Sequence, residues 1–119
     1  MKTMSFDLAI WRQTTMIDPD QAFHIYDQLT DGIAGVVEAS LDVSNFYDAV
    51  MEAYPDADDE TDDDDSPWAS EVYRTEECVL LAISWSRKGE LKDFVLRTAG
   101  EKGLAVYDPQ SRAIYLPSA

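Results

Sequence analysis

The chain has 119 residues, 24 acidic against 9 basic side chains, and a formal net charge of −15. That length suits one domain spanning 1–119, and so large a negative charge argues against nucleic acid or an anionic membrane as partner, because phosphates are repelled. The single cysteine, Cys78, excludes an internal disulfide and points to a reducing, cytoplasmic setting.

The charge is unevenly placed. Residues 1–66 carry 2 basic and 17 acidic side chains, whereas residues 67–119 carry 7 of each. Nearly half of those 17 acids fall between Asp56 and Asp65. No apolar run approaches the roughly 20 residues needed to span a bilayer, and polar residues interrupt anything like a secretory leader.

In chain order, Ser5–Trp11 alternates, with Phe6, Leu8 and Ile10 on one face, and reads as a half-buried strand with Trp11 on its second side. Asp18-Pro19-Asp20-Gln21 is a helix start: Asp18 suits the N-cap, Pro19 the first turn, and Gln21 completes a capping box. Ala22, Phe23, Tyr26 and Leu29 supply the buried stripe, and Gly32 ends it. Residues 33–40 read as either loop or a short strand at Val36 and Val37.

A second helix is expected over Val43–Ala53, capped by Asp42 or Ser44, with Phe46, Val50 and Tyr54 in one row and Pro55 as its stop. Residues 56–66 are low-complexity and acidic, a composition that repels itself and buries nothing, so a flexible loop is expected there. Glu71–Thr75 and Cys78–Trp85 read as strands, the second apolar enough to be covered on both faces. A third helix is expected from a Ser86 cap to about Glu101, with Leu91, Phe94, Val95 and Thr98 buried and Gly100 or Gly103 as the stop. Lys88 and Lys92 fall on its solvated face. Leu104–Tyr107 and Arg112–Leu116 flank Asp108-Pro109-Gln110-Ser111, which reads as a hairpin turn.

The expected fold is α+β, in the order β-α-α-β-β-α-β-β, with one mostly antiparallel sheet and the helices packed on one face.

The chemistry-bearing residues are few. Carboxylates of the acidic run are the right ligands for calcium, but the run lacks the alternation, central glycine and terminal glutamate of a calcium loop. His24 is the only histidine and reads as a helix-surface residue; Cys78, opening an apolar strand, reads as a buried, inert thiol. Nothing here has the spacing of a catalytic, cofactor or metal site, so neither an enzyme nor a cofactor is expected.

The aromatics near the acidic run are more suggestive. Tyr54 precedes it and Trp68 follows it, and Tyr and Trp are enriched at binding hot spots. Trp68 is read either as such an anchor or as a cap on the sheet edge, and Trp85 as packing under the third helix. Tyr73, Trp85 and Tyr107 are open to either core or homodimer surface. The expected partner-binding set is Tyr54, Asp56, Asp58, Asp59, Glu60, Asp62, Asp63, Asp64, Asp65 and Trp68.

With its charge asymmetry, the Asp56–Asp65 run, Ser66-Pro67-Trp68 and a small α+β plan ending in Tyr107-Asp108-Pro109-Gln110, the chain resembles the small acidic immunity proteins of bacterial toxin–immunity systems. The resemblance implies a cytosolic, non-enzymatic protein that neutralises a basic toxin domain, often a nuclease, by direct binding. The alternative is an acidic adaptor or DNA-mimic regulator of a resident basic protein.

Overall fold

A computed structural model describes residues 5–13, 15–54, 68–69 and 72–117. The elements follow the expected order: β1 (Ser5–Trp11), α1 (Pro19–Thr30), α2 (Leu41–Ala53), β2 (Tyr73–Arg74), β3 (Cys78–Ser84), α3 (Lys88–Glu101), β4 (Ala105–Asp108) and β5 (Ala113–Tyr115). One five-stranded sheet runs β2-β3-β1-β4-β5, and every pairing is antiparallel.

Local chemistry explains the helix ends. Asp18 caps α1, its carboxylate accepting from the Gln21 amide at 2.8 Å while the Gln21 side chain accepts from the Asp18 amide at 3.2 Å. Gly32, at φ +76°, ends it: Gly32 N–H donates to Leu29 and Ile33 N–H to Gln28. Gly103 repeats the device after α3, with Gly103 N–H donating to Gly100 and Leu104 N–H to Ala99. Two starts differ from expectation. Helix α2 begins two residues early, because Ser40 is the cap and accepts from Asp42 N–H at 3.1 Å. Ser86 caps nothing; a 3-10 turn over Trp85–Arg87 leads into α3, whose first turn has no side-chain cap.

The helices cover both faces of the sheet, not one. Phe6, Leu8 and Ile10 of β1 pack with Val43, Phe46 and Val50 of α2 and with Leu91, Val95 and Ala99 of α3. Ala9 and Trp11 point the other way and pack with Ala22 and Leu29 of α1, together with Cys78 and Tyr107. Trp11 is therefore fully buried instead of having a solvent-facing side. Burying a large apolar side chain contributes about 1.5–3 kcal/mol, so an apolar second face recruits its own helix. Tyr107, also fully buried, belongs to this core and to no dimer surface.

Other corrections follow from these two layers. On β3, Val79, Leu81 and Ile83 are buried but Leu80 and Ala82 only half so, because α1 covers one end of its face. Strand β2 shrinks to two residues, and Glu71 lies outside the described residues. Residues 33–40 form a loop. Phe23 drops out of the buried stripe and stacks at the rim between Tyr26 and the guanidinium of Arg112.

Candidate functional site

Helix α2 ends at Ala53 with Tyr54 as its C-cap, and the chain is next described at Trp68. The acids Asp56, Asp58, Asp59, Glu60, Asp62, Asp63, Asp64 and Asp65, expected as a flexible loop, lie outside the described residues.

Both flanking aromatics face inward. Trp68 is 3% exposed, pairs with Ile83 beside β2, and donates its indole N–H to the Tyr54 carbonyl at 2.9 Å. Of its two readings, the cap on the sheet edge is the one that matches this burial; an exposed anchor does not. Tyr54 is half-buried, lies edge-on to Phe94 with ring centroids 5.1 Å apart, and donates its hydroxyl to Glu90 at 2.8 Å. That hydrogen bond to Glu90 raises the Tyr54 pKa. Glu90 in turn is held below the usual carboxylate range, first by the Arg87 guanidinium and then by Tyr54. Trp85, expected under α3, is instead 41% exposed, with the Lys88 ammonium 3.5 Å from its ring centroid.

Most of the described basic side chains are engaged within the molecule. Arg12 lies between Glu38 and Asp42 at 3.9 and 3.6 Å. Arg74 covers Tyr47, Arg97 covers Phe94, and Arg112 covers Phe23. Lys92, expected on a solvated face, instead reaches the buried carboxylate of Asp108 at 3.7 Å. Asp108 is buried because it organises the β4–β5 turn, accepting from the Gln110 and Ser111 amides.

The acids are arranged differently. From Gln13 to Tyr73 there is no lysine or arginine. Asp20, Asp27 and Asp31 on or capping α1 and Asp48 and Glu52 on α2 are exposed, and no ion pair reaches them among the described residues. Asp27, Asp31 and Glu52 sit at helix C-termini, where the helix dipole disfavours a negative charge by roughly 0.3–1 kcal/mol each.

One carboxylate does serve the fold. Glu77, in the turn before β3, accepts from the amides of Gly35, Val36 and Val37 at 2.9, 3.1 and 3.3 Å. The Gly35 bond is the main reason its pKa falls below the ordinary value. Cys78 is buried, and that burial pushes its thiol pKa up. His24 is exposed on α1.

Among the described residues, no group of three or more His, Cys, Asp or Glu is placed to hold a metal ion, and no helix is long and apolar enough to cross a membrane. The chain matches no family model, no curated protein and no solved structure.

Proposed function

We propose that the chain is a non-enzymatic binding protein that captures a basic protein partner through its acidic surface, in the specific form of an immunity or inhibitor protein neutralising a basic toxin domain. One observation carries this reading. Asp20, Asp27, Asp31, Asp48 and Glu52 are exposed and no ion pair reaches them among the described residues, and Asp27, Asp31 and Glu52 stand at helix C-termini where they oppose the dipole. Charge kept against local stability is the kind of inconsistency that marks a functional surface. An extended negative field speeds encounter with a positive partner and rejects negative ones. The segment 56–65 supplies further charge to that field, with Tyr54 and Trp68 flanking it in sequence.

A second reading, an acidic adaptor or DNA mimic acting on a resident basic protein, is favoured by the acids on α1. They stand on a rigid helix, at fixed separations, as a phosphate mimic requires.

The test is affinity capture from host lysate at low and high salt, with a variant in which the acids of 56–65 become Asn or Gln. A basic protein retained by the wild type, released by salt and held less by the variant supports capture. Its identity, toxin domain or resident nucleic-acid-binding protein, decides between the two forms. Retention that ignores both salt and neutralisation contradicts both.

A further inference from the structure

The loop over residues 33–40 joins the end of α1 to the start of α2 and packs Val36 and Val37 against the core that holds Cys78. Gly32 at φ +76° and Gly35 at φ +79° set its path. Among the described residues, 34–39 donate three backbone hydrogen bonds, from Gly35, Val36 and Val37. All three go to the Glu77 carboxylate, at 2.9, 3.1 and 3.3 Å. Consecutive amides that converge on one anion around a residue of positive φ form a concave nest, and here the anion is a side chain of the same protein. Beneath the loop is a cavity of about 70 Å³, walled by Gly32, Ile33 and Ala34 on the loop's side and by Leu29, Thr75 and Cys78 on the other.

We infer that residues 33–40 are a strap, latched by the Glu77 carboxylate, that opens locally and exposes Cys78 while the rest of the fold stays intact. Little besides the latch resists opening. Val36 and Val37 are half-buried, Ser40 N–H donates to the Glu76 carbonyl at 3.2 Å at the strap's far end, and Glu38 stands 3.9 Å from Arg12. An exposed ion pair of that kind contributes little. Local opening arises where a segment has few buried contacts and few hydrogen bonds of its own. The strand below is the opposite case: β3 pairs with β1 from Cys78 to Ser84 and with β2 on its other side, so it stays in place when the strap lifts.

The closed strap keeps the thiol inert. Cys78 is 1% exposed, and its Sγ lies 3.6 Å from the Thr75 hydroxyl. Burial pushes its pKa up, which makes the reactive thiolate scarce. The cavity above it, at about 70 Å³, is far below the roughly 300–1,000 Å³ that admits a small molecule. A reagent therefore reaches Cys78 only after the strap has lifted, and the rate of reaction measures the opening. Leu29, also buried, lines the same cavity and is uncovered with it, so the open state shows an apolar floor that the closed state hides.

Cys78 is the only cysteine, so labelling of the whole chain by an aromatic disulfide, dithionitrobenzoate, follows this one site. The thiolate attacks the reagent's S–S bond, a mixed disulfide forms, and the coloured thionitrobenzoate that leaves is read. The expected result at low urea is a rate that does not change with urea, rising with the slope of global unfolding only at higher concentrations. Glu77→Gln, which keeps the side chain's shape and removes its charge, should raise the low-urea rate about tenfold, the effect of one charge-assisted hydrogen bond. Gly35→Ala, strained at φ +79°, should raise it too, which keeps the test sound if Glu77→Gln fails to fold. Asp108→Ala, in the β4–β5 turn, lowers global stability without touching the strap and should leave the low-urea rate unchanged. In the wild type, hydrogen exchange at the Val36 and Val37 amides should run well ahead of that in the central strand β1. Labelling that carries the full urea slope at every concentration overturns the strap, because Cys78 is then reached only by unfolding. A low-urea rate that Asp108→Ala raises, or that neither strap variant changes, overturns it equally.

Discussion

The indole N–H of Trp68 donates to the Tyr54 carbonyl at 2.9 Å, and this one bond joins the residue before the acidic segment to the residue that follows it. Around it, Tyr54 is fixed from its other end by Glu90 and Arg87. Tyr54 and Trp68 are therefore braced against each other beside β3. Trp68→Phe should cost about 1 kcal/mol through the lost hydrogen bond, and Trp68→Ala about 3–5 kcal/mol through loss of buried volume. Urea unfolding measures both; equal stability of the alanine variant and the wild type would contradict the assignment.

The three tryptophans differ sharply in access, with Trp11 and Trp68 buried and Trp85 41% exposed. Acrylamide should therefore quench one component of the fluorescence readily and leave the rest protected. In Trp85→Phe the readily quenched component should vanish. If it survives, Trp11 or Trp68 is more accessible than described.

The Glu77 carboxylate gives a pH signature. Its folded pKa lies below the ordinary value of 4.5 because the Gly35–Val37 amides hold the charged form. On acidification the unfolded chain takes up this proton first, so the contribution is complete above the ordinary value and is lost as pH falls through the lower, folded one. Glu77→Gln should be less stable than the wild type at pH 7, and the gap should narrow as pH falls below the ordinary value of 4.5. A gap that does not narrow on acidification below that value, measured by denaturant unfolding, would show that the amides do not hold a charged carboxylate.

Asp108 and Lys92 should contribute unequally. Asp108 is 2% exposed and organises the β4–β5 turn, whereas Lys92 keeps part of its side chain in water. Asp108→Ala is expected to cost about 2–3 kcal/mol, and Lys92→Ala about 1 kcal/mol or less. Thermal or urea unfolding checks the order; a larger loss for Lys92→Ala would reverse it.

What was legible in the chain is what local chemistry decides. Asp18, Pro19 and Gln21 specify the start of α1 by contacts within four residues, and Gly32 and Gly103 specify stops that need positive φ. The alternation of Phe6, Leu8 and Ile10 marks β1 to the residue. What was not legible depends on distant partners. Trp11 is buried because α1 crosses the second face, and no periodicity within Ser5–Trp11 says so. Trp68 is buried because its segment bridges to Ile83, whereas Trp85, in the 3-10 turn after β3, stays 41% exposed with its ring edge-on to Phe6.

The central claim is that an acidic surface captures a basic partner by charge, and the association rate measured against ionic strength tests it most directly. With the captured partner in hand, stopped-flow association should slow by about tenfold or more between low and high salt, and dissociation should change little. Neutralising the acids of 56–65 should lower the rate at low salt and flatten its salt dependence. A wild-type association rate that is slow and indifferent to salt would contradict electrostatic capture, whatever the partner proves to be.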